Sequence, residues 1–220
     1  MQASLVSMPR LGLGSIAVIG AGVSGCALAA QLRLLGHQGP ISLWETGRGP
    51  GGRASTRRSR QDPALRIDHG APLFNITAET DPHLLQPLLS GGWIEPWPGV
   101  IAQLQGESSL RLGQSDAMGL GTLYRGLGGM DHLCQGLLSL AGEAFEAFEA
   151  HYGTLVRFLA WQDGLWQLYG PDRQLLGQAQ WLVLSSTLLA HPRSRMIFGW
   201  HDVPLKEAAA ALADLQLDHA

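Results

Sequence analysis

The run SIAVIGAGVSGCALAA, residues 15–30, leaves this chain few choices of fold. SIAVIG (15–20) is a short β-branched segment ending at glycine, the pattern of a strand buried on both faces in a parallel sheet. VSGCALAAQLRLLG (23–36) then sets Ala27, Leu28, Ala30, Leu32, Leu34 and Leu35 at mostly helical spacing and stops at Gly36, a residue suited to a helix C-terminus. PISLWE (40–45) reads as a second strand. A strand, helix and strand in so short a span must cross over right-handed to keep the strands parallel. Between the first strand and the helix, Gly20, Gly22 and Gly25 spell G-x-G-x-x-G. Gly20 allows the tight turn, Gly22 lets a pyrophosphate approach the backbone, and Gly25 lets the helix pack close to the sheet. The helix start offers free N–H groups and the positive end of its dipole to an anion. Glu45 follows Gly25 by 20 residues at the end of the second strand. A carboxylate there accepts hydrogen bonds from an adenosine ribose and disfavours a 2′-phosphate.

A second glycine cluster follows at once. Residues 47–58 read GRGPGGRASTRR, with Gly49, Gly51 and Gly52 ahead of Arg53. A nicotinamide-binding unit has no standing need for it. A dinucleotide whose second half runs past the first helix does, because the chain must then pass close to the diphosphate, with Arg53 offering a planar guanidinium fork. Arg57, Arg58 and Arg60 make the rest of the stretch look like a nucleic-acid arm. The formal charge of −3 and the presence of one lysine, Lys206, argue against a cationic field that would hold such a partner. These three arginines read instead as solvated or helix-flanking charges. Cys26 and Cys134 read as reduced core residues, and no His, Cys or carboxylate spacing suggests a metal site. The most apolar segment, Ile16–Ala30, is broken by three glycines and is short for a membrane span, and residues 1–14 lack the parts of a signal peptide. A soluble cytoplasmic protein is the expectation.

Further along, ALRID (64–68) reads as a strand, PHLLQPLLSGG (82–92) as a short helix interrupted at Pro87, and GWIEPWPGVIAQLQ (92–105) as irregular edge β-structure. LGGMDHLCQGLLSLAG (127–142) carries Met130, Leu133, Cys134, Leu137 and Leu138 on one helical face. From Thr154 onward, Asp163-Gly164 and Pro171-Asp172 separate the strands of a meander whose last run is LLGQAQWLVLSS. EAFEAFEA (143–150) fits neither helix nor strand, and VPLKEAAAALADLQLDHA (203–220) has a helical pattern.

GAGVSG…WETGRGPGGRASTRR resembles the glutathione-reductase-type FAD-binding domain of the flavin amine oxidase superfamily. RIDHGAPLFN (66–75), GGWIEPW (91–97) and YRGLGGMDHL (124–133) resemble its renalase-like branch. The resemblance covers roughly residues 15–190. It implies an α/β chain with a Rossmann-like FAD/NAD(P)-binding domain, an inserted β-meander and part of a substrate domain. The implied layout is an N-terminal tail at 1–14, the FAD-binding βαβ unit and glycine-rich loops at 15–75, and a partial substrate domain at 76–123. The FAD-binding domain returns with the meander at 124–190, and an incomplete substrate-domain segment begins at 191–220. A further C-terminal portion, which completes such folds in the family, is not among these 220 residues.

The resemblance also implies non-covalent FAD, a reduced nicotinamide or amine as small-molecule donor, and oxygen as acceptor. Residue by residue, Gly20, Gly22, Ser24 and Gly25 would surround the pyrophosphate and Glu45 the ribose, with Ala21 and Thr46 also binding the cofactor. Arg48, Gly52 and Arg53 would meet the diphosphate region, Gly70 and Ala71 the isoalloxazine, and Val156 the adenine. The family's glutamine and aromatic residue after D-x-G-A are replaced by Pro72 and Leu73. Catalysis in such proteins is largely the flavin's own chemistry, with the protein supplying orientation and a water-poor pocket, so no catalytic residue is named. Asp68 and His69 are the titratable pair nearest the implied ring, as loop structure or as substrate-tuning groups. Trp93, Trp97 and Tyr124 could line a pocket for a flat ring or pack as core. The alternative to an enzyme is a catalytically incomplete dinucleotide-binding module.

Overall fold

The computed structural model describes residues 12–62, 64–77, 83–106, 108–113, 121–142 and 147–185. The helical pattern at 203–220, Lys206, the segment 191–220 and residues 143–146 of EAFEAFEA lie outside them.

Four parallel strands form the central sheet, in the order β10-β2-β1-β14. They are β1 (Ile16–Ile19), β2 (Ile41–Trp44), β10 (Phe148–His151) and β14 (Trp181–Leu184). Helix α1 (Val23–Leu34) makes the crossover between β1 and β2. Helix α3 (Asp131–Gly142) packs beside α1 on the same face of the sheet. Strand alternation sorts the side chains. Ile16, Val18, Ile41 and Leu43 join Cys26, Ala29, Ala30, Met130, Cys134 and Leu137 in a core under the helices. Ala17 and Trp44 point to the opposite face, where Val156, Leu159, Leu168 and Ala179 complete a smaller core. That second core is roofed by the antiparallel meander β11 (Phe158–Gln162), β12 (Leu165–Tyr169) and β13 (Leu175–Ala179). Asp163 and Gly164 both adopt positive φ in the first meander turn, the requirement of a tight two-residue hairpin.

Further elements are formed by described residues between 52 and 126. A 3-10 turn at Gly52–Ala54 leads into the hairpin β3 (Thr56–Arg58) and β4 (Arg66–Asp68). Strand β9 (Thr122–Gly126) sits between β5 (Phe74–Ile76) and β6 (Ile94–Pro96). Helix α2 (Leu85–Ser90) packs on α3, and β7 (Ala102–Gln105) pairs with β8 (Ser109–Leu112).

Four features differ from the sequence expectations. The run LLGQAQWLVLSS is split at Gln180: its first half is meander, and its second leaves the meander to pair with β1 in parallel. Helix α2 is not interrupted at Pro87, because Pro87 falls in the first turn, where its missing N–H has no partner to lose. GWIEPWPGVIAQLQ is edge β-structure as expected, but its two strands, β6 and β7, belong to different sheets. Phe148–His151, taken from the unassigned EAFEAFEA stretch, supplies the outer strand of the parallel sheet.

Candidate functional site

The carboxyl edge of the parallel sheet holds the glycine loop. Gly20 turns the chain with φ +107°, and its N–H donates to the Trp44 carbonyl at 2.8 Å, so the turn is welded to β2. Gly22 precedes α1 in an extended conformation. A Cβ at Gly22 would meet nothing within 4 Å, so this backbone faces open space. No side chain caps α1 and no acidic residue lies in its first turn. Its leading amides and dipole are therefore left for an anion. Gly25 is different: a Cβ there would lie 2.1 Å from the Gly20 carbonyl oxygen and 2.7 Å from Ser185 Oγ. It is the packing glycine of the loop.

The second cluster stacks on the first. Gly51 N–H donates to the Ala21 carbonyl at 2.8 Å, and Gly22 and Gly51 form an isolated parallel bridge. Gly51 and Gly52 both have positive φ, and a Cβ on Gly52 would press to 3.2 Å from Gly22 Cα. Arg53 follows on the exposed side. A third segment backs this one: Ala71 N–H donates to the Arg53 carbonyl at 2.8 Å, and a Cβ on Gly70 would sit 1.9 Å from that oxygen. Glu45 ties the assembly from the side. Its Oε2 accepts the Ala21 N–H at 2.9 Å and its Oε1 the Gly47 N–H at 2.6 Å. Each carboxylate oxygen keeps acceptor capacity for a second donor.

These segments frame a cavity of about 650 Å³. Gly20, Gly22, Ser24, Glu45, Gly52, Arg53 and Ala71 form its polar end. Its other end is apolar, walled by Phe74 and Ile76 of β5, Leu85 and Leu88 of α2, and Met130, Leu133 and Leu137 of α3. The remaining named residues lie elsewhere. Ala21 is buried beneath the loop and acts through its amide, Gly25 and Gly70 pack behind it, and Thr46 and Arg48 are exposed. Val156 is buried in the meander core, two residues past Thr154, whose N–H donates to the Glu45 carbonyl.

Asp68 serves the scaffold. Its Oδ1 accepts Thr56 Oγ1–H at 2.5 Å and the Met130 N–H at 3.0 Å, while Thr56 Oγ1 accepts the Asp131 N–H. Arg58 pairs with the buried Asp131 at 2.7 Å, and Arg66 donates to the Gly128 carbonyl. The β3–β4 hairpin thus grips the start of α3. His69 is exposed. None of Trp93, Trp97 and Tyr124 lines the cavity: Trp93 packs on Gly136 and His132, Trp97 under Arg125, and Tyr124 on Phe74.

Sequence reading missed Ser185, which lines the cavity and whose hydroxyl donates to Gly20 O at 2.8 Å. Burial first, then the electrostatic influence of Cys26, Cys134 and Glu45, pushes the Tyr152 phenol above its usual range. Cys26 and Cys134 are both free and buried. Cys26 donates to the Ala21 carbonyl, and Cys134 lies by the Gly51 carbonyl. Hydrogen bonding with Cys134, then burial, pushes the Cys26 thiol far above its ordinary range. Among the described residues no group of three or more His, Cys, Asp or Glu could hold a metal, and no helix is long and apolar enough to cross a membrane.

Comparison with known proteins places this geometry. No curated protein matches the chain. The chain is similar in structure to an oxidoreductase from Methanosarcina mazei, with a TM-score of 0.59 at 12% identity. It is also similar to a protein from Exiguobacterium sp. 255-15 described as a proposed protoporphyrinogen oxidase, with a TM-score of 0.54 at 13% identity. Each likeness covers 90% of this chain, which spans 64% of the length of either protein. At such identities the likeness speaks for the fold. Residues 18–89 match the NAD(P)-binding Rossmann-like domain family, a stretch that holds α1, β2 and both glycine loops, and the chain is an α/β protein with a parallel sheet.

Proposed function

We propose that the chain binds FAD and works as an FAD-dependent oxidoreductase resembling the renalase-like branch of the flavin amine oxidases. It would take a hydride from a dihydronicotinamide or amine-like donor and return the electrons to oxygen. The observation that carries the reading is the stacking of three segments, 20–25, 51–53 and 70–71, along one cavity with Glu45 at its side. A mononucleotide needs only the first. The residues fit the group: a backbone that meets no described neighbour at Gly22, an uncapped helix start, an arginine and a carboxylate that lines the cavity. FAD, when bound, supplies the hydride-accepting ring. The chain's part is to hold the diphosphate on the amides of α1, orient the ribose on Glu45, and keep water from the apolar end. Titrating purified protein with FAD tests this. Saturable quenching of flavin fluorescence is expected, and its absence overturns the reading.

A second reading, a dinucleotide-binding module without turnover, is favoured by one observation. Among the described cavity-lining residues, Glu45 and Arg53 are the only titratable side chains, and both belong to the binding end. Oxygen consumption with reduced nicotinamide in the presence of FAD separates the two: flavin-dependent uptake rejects the module.

A further inference from the structure

We propose that the apolar end of the cavity is a subsite for the hydrocarbon part of a small uncharged donor, an alkyl or aryl group carried by the molecule that is oxidised. The inference rests on the reading above as an FAD-dependent oxidoreductase. Three elements turn a face toward this space. Leu85 and Leu88 stand three apart on α2, Leu133 and Leu137 four apart on α3, and Phe74 and Ile76 two apart on β5, so each pair shares one side of its element. Leu85, Leu88, Leu133 and Leu137 are each 5% exposed or less, yet they border a cavity of about 650 Å³. Protein interiors leave few voids larger than a water molecule, because a wall without a partner forfeits its dispersion contacts. A cavity of this size, framed by three elements and continuous with the glycine loops, is room for a guest.

The chemistry of the walls selects the guest. These six side chains carry no polar atom. An apolar cavity of about 150 Å³ already stays dry and takes up benzene. A hydroxyl or carboxylate placed among such walls loses its water and gains no partner, and a cationic amine costs more still. The titratable side chains among the described lining residues, Glu45 and Arg53, lie at the other end, where Glu45 accepts the Ala21 and Gly47 N–H groups. A protonated amine and a donor that brings its own diphosphate are therefore both disfavoured at the apolar end. A small uncharged donor with an alkyl or aryl substituent is favoured, and each methylene it buries strengthens binding by about fourfold. The dimethylbenzene edge of the flavin has the same chemistry, so the experiment must separate the two sources.

The full chain saturated with FAD is titrated with toluene, ethylbenzene and n-butylbenzene, and binding is read from the rise in melting temperature. Affinity should climb by about fourfold per added methylene. Leu137→Phe, which puts bulk into the space, should cancel the gain from ethylbenzene to n-butylbenzene, while Leu137→Met, of similar volume, should keep it. In anaerobic flavin bleaching, the half-saturating concentration should fall along N-methyl, N-propyl and N-pentyl dihydronicotinamide, and that of the pentyl donor should lie below that of NADH. Alkylbenzene affinities within about twofold of one another, or a donor series without that trend, overturn the inference alone. Alkylbenzenes that stabilise the chain without FAD and lose the effect once FAD is bound assign the apolar end to the flavin and also overturn it. A chain that binds no FAD, or whose FAD no donor bleaches, overturns the oxidoreductase reading and the inference with it.

Discussion

Gly22 and Gly25 lie three residues apart in one motif, yet a methyl group should act by different routes at the two positions. At Gly25 the new Cβ would stand 2.1 Å from the Gly20 oxygen and 2.7 Å from Ser185 Oγ. An ordinary C···O contact is about 3.3 Å, so α1 would have to move away from the loop by roughly an ångström. Overpacking of that kind costs about 1–3 kcal/mol, offset by up to ~1 kcal/mol because alanine is the better helix former. A net loss of about 1–2 kcal/mol lowers the melting temperature of a chain this size by about 2–8 °C. Because the shift also misplaces the loop amides, dinucleotide affinity should fall with it. At Gly22 the backbone is extended, φ −76° and ψ 178°, and the Cβ would enter open space. Gly22→Ala should therefore lose no more than the ~0.5–1 kcal/mol that separates glycine from alanine at a helix N-cap. Its methyl group would stand where the diphosphate approaches, and affinity should drop by about tenfold or more. Thermal melts read beside FAD and ADP titrations decide the matter. A Gly25→Ala protein that melts at or above the parent, or a Gly22→Ala protein that binds as the parent does, refutes the division of labour.

Asp68→Ala should destabilise by about 1–3 kcal/mol, since it strands the Met130 N–H and the Thr56 hydroxyl at the start of α3; urea melts check it, and an unchanged midpoint contradicts the clamp. Alkaline stability should depend on Cys26. Its folded pKa is raised above the unfolded value. Its contribution is therefore complete below about pH 8.5 and is lost as pH rises above it, at about 1.4 kcal/mol per pH unit. Cys26→Ala should flatten the fall in stability between neutral and alkaline pH, and an equal slope in the variant would contradict the burial argument.

The βαβ unit was legible because each of its signals is local: a β-branched run, glycines at fixed offsets, a helix with a stop and a carboxylate after the second strand. The outer strands were not. Phe148–His151 carries the same three-residue repeat as its flank, so no period picks it out, and only pairing with β2 makes it a strand. Trp181–Leu184 follows β13 with one residue between, and nothing in its composition says that the chain changes sheets there. The cavity shows the same divide. Its polar end was readable in glycine spacing and charge, whereas Phe74, Leu85, Leu133 and Leu137 look like any core positions until the helices are assembled around them.

The parallel pairing of β1 with β14 has a consequence for how the molecule comes together. Ile16 meets Ile41 on one side and Trp181 on the other. Loop-closure entropy makes the second of these contacts dearer than the first by about 1.7 kcal/mol. Synthesis imposes the same order, since β14 leaves the ribosome long after β1, α1 and β2. A nascent chain lacking residues 181–184 exposes one hydrogen-bonding edge of β1 and the loop carbonyls that Ser185 would cover. The glycine loop is thus finished by the last of the described strands to arrive, and a partly synthesised chain has a bare β1 edge to shield until then.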